Sequence, residues 1–416
     1  MTQPSQPVGD TYDVVVVGGG VAGAAIALQL ALEDLNVVVL EARSSEAPVP
    51  GSWVLTPFAV SELSRLGVDL GPNVPGRQLT GVRVLSHGAV VPLSFDTPGE
   101  ARTVTRGFLL RELSAAAVAA GASWRWSSNV DGPVLDDGIV VGVSVGSDEI
   151  CGETFVVADG ALSHFGRALG TSRRRTRPQA LVAVATVDDP NPIQGGDAWL
   201  DLAIDLRERF DLPVPGLGWV VPVANGRLDV GVGVLNTFRD SDSVSITDVL
   251  HRWRADAPGA TDTTINVAIG TDIGRIPLGD GVWPRTGPNW LAIGDAVAMT
   301  SPLNGAGVAA ALSTARLATD AIKNSIQNND GLAIRQYEQA LDDHLGDELR
   351  VARLVGRVLT EPRVTNVVTR AAAWSDASLA RAVQLAVATD ESEGRGRLQR
   401  LVSQIARLTP EPPEHH

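Results

Sequence analysis

The chain has 416 residues, enough for two packed domains with a large core, and its 44% hydrophobic and 20% charged content is that of an ordinary globular protein. A formal net charge of −14 leaves no surplus of cations to neutralise phosphates, which argues against a nucleic-acid partner. The single cysteine, Cys151, excludes intramolecular disulfides, thiol-based metal clusters and dithiol relays, and it reads as a small buried hydrophobe.

Residues 1–11 are polar and carry prolines, so they are expected to be disordered and not a secretory signal. No uncharged run reaches the length of a membrane span, and the cytoplasm is the expected location. Asp13-Val14-Val15-Val16-Val17 is a β-branched run that reads as a buried strand. Gly18-Gly19-Gly20-Val21-Ala22-Gly23 follows, then a helix over Ala24 to Ala31, then a strand over Val37 to Leu40 that ends on Glu41. Strand, G-x-G-x-x-G, helix, strand and acid together make a dinucleotide-binding unit. In such a unit Gly18 forms the tight turn, Gly20 lets the backbone approach a pyrophosphate, and Gly23 lets the helix pack on the strand. Val21 and Ala22 open the helix, whose first amides and positive dipole end face the phosphates. Glu41 is placed to accept hydrogen bonds from ribose hydroxyls, with Ala42 and Arg43 beside it.

A loop is predicted from Ala42 to Thr56, then a helix burying Ala59, Leu63, Leu66 and Val68, then strands between Gln78 and Phe95. A helix over Leu109 to Ala120 starts near Arg106, and strands follow at Trp124 to Val130, Gly138 to Val145 and Ile150 to Val157. The last runs into the turn Asp159-Gly160, with Arg167 shortly after. From Ala180 to Leu235 the pattern is strand-like, broken at Asp188-Asp189-Pro190 and Pro213-Val214-Pro215. Leu291-Ala292-Ile293 is a short strand leading into Gly294-Asp295 and the turn Pro302-Leu303-Asn304-Gly305-Ala306-Gly307, which opens a helix over Gly305 to Asn328. Asp295 suits polyol hydroxyls, and the backbone of Gly305 to Val308 suits negative charge at a helix N-terminus. From Leu332 the chain is mostly helical.

These elements predict an α/β fold. Its Rossmann-like dinucleotide-binding domain is discontinuous, built from residues 12–76, 101–170 and 285–330. An antiparallel β-sheet substrate domain, residues 77–100 and 171–284, is inserted into it. C-terminal helices occupy residues 331–408, and residues 409–416 are expected to be a disordered tail.

The G-x-G-x-x-G unit, the helix at Arg106, Asp159-Gly160 and Gly294-Asp295 resemble, in this order, the FAD-dependent oxidoreductases related to p-hydroxybenzoate hydroxylase. The resemblance covers Tyr12 to Ala321 and implies FAD as cofactor. The implied cofactor-binding set is Gly18, Gly20, Val21, Ala22, Gly23, Glu41, Ala42, Arg43, Arg106, Val130, Asp159, Gly160, Asp295, Pro302, Gly305, Ala306, Gly307 and Val308; no metal is implied. Leu217-Gly218-Trp219-Val220-Val221-Pro222 followed by Gly231-Val232-Gly233 is similar to the Y-x-W-x-F-P…G-x-G signature of geranylgeranyl reductases. Leu217 and Val221 stand where that signature has aromatics. Gly287-Pro288-Asn289-Trp290 and the Pro302 turn resemble menaquinone-chain reductases of the same family. Pro50 stands where family members often carry a cysteine, so a mechanism needing that thiol is closed. Flavin halogenases share half of the tryptophan motif, but they need a relay lysine early in the chain, and the only lysine here is Lys323.

The resemblance implies transfer of a hydride from reduced FAD to a C=C bond of an isoprenoid chain, such as a geranylgeranyl group or a quinone side chain. Since the cofactor carries the chemistry, the protein needs an apolar slot that fixes distance and excludes water. Trp219, Leu217, Pro222, Trp53 and Phe58 are the candidate cavity residues, with Trp199 a further wall candidate; for Trp53 and Trp199 core packing competes. None of the six histidines, His87, His164, His251, His344, His415 and His416, falls in a motif that places it at a flavin, so the sequence names no proton donor. The electron donor would be NAD(P)H bound transiently or another external carrier. The alternative activity is a flavin monooxygenase acting on a hydrophobic small molecule, and a flavin-binding protein without turnover is a third class. Arg350, Arg353, Arg357, Arg363, Arg370 and Arg381 are interleaved with apolar residues at helical spacing. That stretch suits either an anionic membrane surface or packing on the core with a solvated arginine face.

Overall fold

The computed structural model describes residues 11–71, 74–86, 88–95, 100–174, 177–189, 198–207, 213–236, 241–257, 271–302, 305–328 and 331–359. The first elements are β1 (Thr11–Val17), α1 (Val21–Ala31) and β2 (Val37–Leu40). Val14, Val15 and Val16 are fully buried, as a parallel strand covered on both faces requires. Every α1 residue except Gln29 is buried, because the helix is held between the sheet and two further helices. β3 (Ser52–Leu55) and α2 (Pro57–Arg65) follow; the Thr56 hydroxyl caps α2 by accepting from the Ala59 amide. Then come β4 (Gln78–Ser86), β5 (Ala89–Ser94), β6 (Ala101–Thr105), α3 (Arg106–Ala119), β7 (Ser123–Arg125), β8 (Gly132–Asp136), β9 (Ile139–Val145), β10 (Asp148–Val157) and α4 (His164–Ala168).

The middle of the chain forms β11 (Ser172–Arg173), β12 (Gln179–Asp188), β13 (Ala198–Ala203), β14 (Gly216–Val223), β15 (Arg227–Leu235), α5 (Ile246–Asp256), β16 (Thr271–Pro277) and β17 (Val282–Trp283). The last elements are β18 (Trp290–Ala292), α6 (Gly307–Asn328), α7 (Leu332–Leu341) and α8 (Asp347–Leu359).

Two sheets organise these elements. The first has the order β7-β2-β1-β10-β9-β8, with β18 on the free edge of β10. Its β7, β2, β1, β10 and β18 run parallel, in a register that sets Val15 against Val38 and Phe155. The second sheet has the order β16-β12-β15-β14-β13-β4-β6-β3, with β5 on β4; it is antiparallel except for β13 on β4. One face of the second sheet, with Val220, Val230 and Val232, packs on Val249, Leu250 and Trp253 of α5. The α5 apolar residues fall at i, i+3, i+4 and i+7 from Ile246, the spacing of a one-faced helix.

Several expectations change in detail. The expected strand over Trp124 to Val130 stops at Arg125, because Ser127 turns the chain with φ of +55°. The expected loop from Ala42 to Thr56 contains β3, which pairs Trp53 with Val104. Leu66 is the half-buried C-cap of α2, whereas Ala59 and Leu63 are fully buried. Within residues 12–76 and 101–170, β3 and β6 join the second sheet, so α3 springs from that sheet and crosses to pack on α1.

The C-terminal helices grip the end of the first sheet. The Tyr337 hydroxyl, fully buried, donates to the Ala292 carbonyl at 3.0 Å. Arg285 is paired with Asp280 and with Asp342, the latter at 3.1 Å. Arg350 pairs with Asp347, but Arg353 is buried and donates to the Gly279 carbonyl, so it lies off any solvated basic face. The side chain of Arg357 and all of Arg363, Arg370 and Arg381 lie outside the described residues, as do residues 1–10, Leu303, Asn304 and the 409–416 tail. Among the described residues, no helix is long and apolar enough to cross a membrane.

Candidate functional site

The glycine loop is built by close approach. Gly18 has φ of +103° and donates to the Leu40 carbonyl at 2.9 Å; a Cβ there would stand 2.4 Å from the Ala158 carbonyl oxygen. A Cβ on Gly23 would stand 1.9 Å from the Gly18 oxygen. Gly20 differs: it is the N-cap of α1, and a Cβ there would meet nothing within 4 Å. The loop is thus locked from behind at Gly18 and Gly23 and open in front at Gly20, where the first-turn amides of α1 lack helical acceptors.

Glu41 is buried at the end of β2. Its Oε2 accepts from the Gly19 amide at 2.8 Å, and its Oε1 from the Arg43 amide at 2.8 Å and Arg43 Nε at 3.0 Å. Burial pushes this carboxyl up, but the Arg43 and Gly19 contacts outweigh it and hold it below the usual carboxylate range. Ala42 is exposed beside it, and Val130 is half-buried against the first core. Trp124, not foreseen, walls this corner: its ring lies where a Gly19 Cβ would be, at 2.5 Å, and its Nε1 is buried without a partner.

Asp159 uses both carboxylate oxygens locally. Oδ1 accepts from the Ser163 hydroxyl at 2.7 Å and Oδ2 from the Phe165 amide at 2.8 Å, fastening α4 behind the positive-φ Gly160. Gly294, with φ of +62°, approaches the first turn of α1 so closely that a Cβ would be 2.8 Å from the Ala22 methyl. This contact sets Asp295 beside the glycine loop. Burial raises the Asp295 carboxyl, against one bond from the Thr300 hydroxyl at 3.2 Å. Across from it α6 begins at Gly307, and Val308 is buried behind. Pro302 and Ala306 are half-buried in the turn, and Gly305 is exposed with open space at its Cβ.

Arg106 opens α3. Its amide donates to the Gly51 carbonyl at 3.0 Å, its guanidinium lies 5.5 Å over the Trp53 ring, and its Nε is buried with no partner. Trp53 packs against the first core, while its neighbour Val54 joins the cluster of Val221, Val223 and Trp219. Phe58 is half-buried on α2.

The face of the second sheet opposite α5 explains the tryptophan motif. The Trp219 ring lies flat across β15, so a Cβ on Gly231 would fall 2.1 Å from it and one on Gly233 3.8 Å. The register sets Trp219 opposite Gly231, Leu217 opposite Gly233 and Val221 opposite Asp229. From behind, Trp253 Nε1 donates to the Trp219 carbonyl at 3.2 Å. Pro222, expected at the cavity, pairs with Leu228 on the α5 side of the sheet because alternate residues face opposite ways; it is half-buried, and its carbonyl accepts from the Thr103 hydroxyl of β6 at 3.0 Å. Trp199 is not on this face: it projects with Ala203 and Asp201 to the other side and stacks with Arg83.

Asp229 is the second residue that sequence reasoning passed over. It is buried on the Trp219 face, and Thr186 Oγ1 of β12 donates to its Oδ1 at 2.6 Å. Burial raises its carboxyl and the Asp272 charge adds to this, while the Thr186 bond and the Arg106 and Arg227 charges oppose it. The signal was legible: Arg227-Leu228-Asp229-Val230-Gly231 alternates, putting an acid on the same side as the glycines. Cys151, buried on β10, has its thiol pushed up by burial and by Glu149. Lys323 pairs with Glu33 at 2.6 Å. Among the described residues, no group of His, Cys, Asp or Glu side chains is placed to hold a metal ion.

An open glycine cradle, an unpartnered buried Arg106 Nε and a half-buried Asp295 between two helix N-termini fit a flavin dinucleotide. With a parallel sheet carrying that cradle and an antiparallel sheet set beside it, they define an FAD-dependent oxidoreductase of the two-sheet class. Residues 13–48 match the FAD dependent oxidoreductase family. The chain is 31% identical over 373 residues to menaquinone reductase of Mycolicibacterium smegmatis, covering 85% of this chain and 86% of that one. It is 25% identical to digeranylgeranylglycerophospholipid reductase 2 of Methanopyrus kandleri, over 84% of this chain and 87% of that one. Its fold is that of a geranylgeranyl bacteriochlorophyll reductase-like protein of Thermoplasma acidophilum, with a TM-score of 0.74, 22% identity, and 95% and 96% of the two chains covered. The chain belongs to the geranylgeranyl reductase and menaquinone reductase family of FAD-dependent oxidoreductases.

Proposed function

We propose that this protein saturates carbon–carbon double bonds of an isoprenoid chain, with the side chain of a quinone as the leading substrate class. The observation that carries the reading is the Trp219 ring laid over Gly231 on the second sheet, beside relatives named for reduction of menaquinone and digeranylgeranylglycerophospholipid. The bound FAD supplies the hydride once reduced. Gly18, Gly20, Val21, Ala22 and Gly23 would seat the pyrophosphate, and Glu41, Ala42, Arg43 and Val130 the adenosine. Arg106, Asp295, Pro302 and the Gly305 to Val308 backbone would hold the flavin end, with Asp159 and Gly160 bracing the sheet behind it. Trp219 and Leu217, with Trp53 and Phe58 nearer the first layer, would line the slot. An unactivated alkene offers no hydrogen-bond handle, so these residues act by fixing distance and excluding water. The electron donor would be NAD(P)H or another external carrier, and a substrate held in lipid calls for contact with a membrane surface.

The test is anaerobic reduction of the FAD-loaded protein followed by mixing with menaquinone in detergent micelles. Flavin reoxidation with a product gaining two hydrogens per bond supports the reading. A hydroxylated or epoxidised product on admitting oxygen, with no saturated product, would establish the monooxygenase alternative.

A further inference from the structure

Hydride transfer to an alkene leaves one carbon in need of a proton, and the structure offers a group for it. The Trp219 face of the second sheet carries one buried acid, Asp229, with Thr186 beside it on β12 and the exposed Asp272 further out on β16. Asp229 lies one pair along β15 from the glycine that supports the ring, so it is a diagonal neighbour of Trp219, at roughly 7 Å between backbones. The next two residues on that side of its own strand are Gly231 and Gly233, so the Trp219 ring itself is what Asp229 adjoins along β15.

We propose that Asp229 donates the proton that completes saturation of the double bond. This rests on the reading of the protein as an isoprenoid reductase. The hydride from the reduced flavin forms a C–H bond at one alkene carbon as the π bond breaks. The proton of the Asp229 carboxylic acid forms a C–H bond at the other. The flavin is left oxidised, and the Asp229 carboxylate regains a proton from water between turnovers. The Thr186 hydroxyl donates to Oδ1 and so makes that oxygen an acceptor, which leaves Oδ2 to carry the proton. The surroundings suit both states of the acid. Val221 faces it from β14 and Thr186 from β12, with the charges of Asp272 (β16), Arg106 (α3) and Arg227 (its own strand) acting on it. Burial and Asp272 push the acid toward its protonated form, and the two arginines favour the carboxylate left after transfer. The histidines among the described residues stand elsewhere: His164 beside Arg167 on α4, His344 beside Arg316, and His251 exposed on α5, which packs on the far face of the sheet.

The experiment follows reoxidation of the anaerobically reduced holoenzyme by menaquinone across pH, in the wild type, Asp229→Asn and Thr186→Val. The wild-type rate should fall as pH rises through the Asp229 titration. Asp229→Asn should keep its FAD and its rate of reduction, reoxidise about 100-fold or more slowly, and lose that limb. Thr186→Val, which removes a bond favouring the carboxylate, should move the limb to higher pH. Infrared difference spectra of wild type minus Asp229→Asn at neutral pH should show the carbonyl stretch of a protonated carboxylic acid. Reoxidation of Asp229→Asn at the wild-type rate with an unchanged limb overturns the proposal and leaves the reductase reading intact. Failure of the wild type to reoxidise with any isoprenoid overturns both. Should Asp229→Asn lose FAD, Thr186→Val decides, and an unmoved limb there counts against Asp229.

Discussion

The end of the first sheet and the open face of the second do different jobs with different materials. Around Gly18 and Gly23 the shape is set by backbone against backbone, with Gly294 closing on the Ala22 methyl, and the one buried acid, Glu41, is held ionised by Gly19 and Arg43. Around Trp219 the shape is set by a side chain lying on a strand, and the buried acid, Asp229, is pushed toward neutrality. A site for a charged, chemically fixed dinucleotide rests on amides and an anion. On the proposed reading, the alkene meets an aromatic ring laid on a strand with one buried acid beside it.

The largest effect should come from Gly23→Val. Its Cβ would overlap the Gly18 carbonyl at 1.9 Å, and both partners are backbone that cannot swing away. Purification should yield a colourless protein destabilised by about 3 kcal/mol in urea unfolding, as overpacking costs at its upper range. Gly231→Ala breaks the other region instead. The displaced ring should slow menaquinone-driven reoxidation by at least tenfold while the visible flavin spectrum is retained. Combining it with Trp219→Ala should give less than the sum of the two losses, because the clash needs both partners.

The two acids should give opposite pH responses in thermal unfolding of the apoprotein. Glu41 is lowered in the fold, so its contribution is present above its unfolded value of about 4.3 and is lost as pH falls through the folded value. Glu41→Gln should cost about 1 kcal/mol at neutral pH and less in acid. Asp229 is raised, so its cost is full above its folded value and disappears as pH falls toward about 3.9. Asp229→Asn should therefore unfold at a slightly higher temperature at neutral pH, with the gain vanishing in acid. The smallest effect belongs to Lys323→Ala. It removes a half-exposed pair with Glu33, and stability should change by less than about 0.5 kcal/mol with reoxidation untouched.

What the sequence revealed follows the same division. The glycine cradle is local: strand, turn, helix and acid fall within residues 13–41, and their spacing is the geometry. The Trp219 site needs a register between β14 and β15 before Gly231 has a meaning, and only a resemblance supplied it. Thr186 reaches Asp229 across 43 positions of chain, and no spacing rule anticipates that bond. Trp199 and Trp219 both sit in strands, but one residue of register puts them on opposite faces. The helix α5 carries a periodic signal from Ile246 to Trp253 but was not foreseen, and neither was its role of closing the back of the sheet.

The Tyr337 hydroxyl on the Ala292 carbonyl, with Arg353 on Gly279 and Asp342 on Arg285, ties the Asp295 turn to helices made late in synthesis. β10 likewise waits for β18 to fill its edge. A nascent chain leaving the ribosome thus carries its glycine cradle early but has no finished flavin end until residues beyond 350 have emerged. If the Asp295 turn holds the flavin as proposed, cofactor capture should fall late in biosynthesis, and a ribosome stalled in α6 would expose a half-made pocket to the cell's quality control.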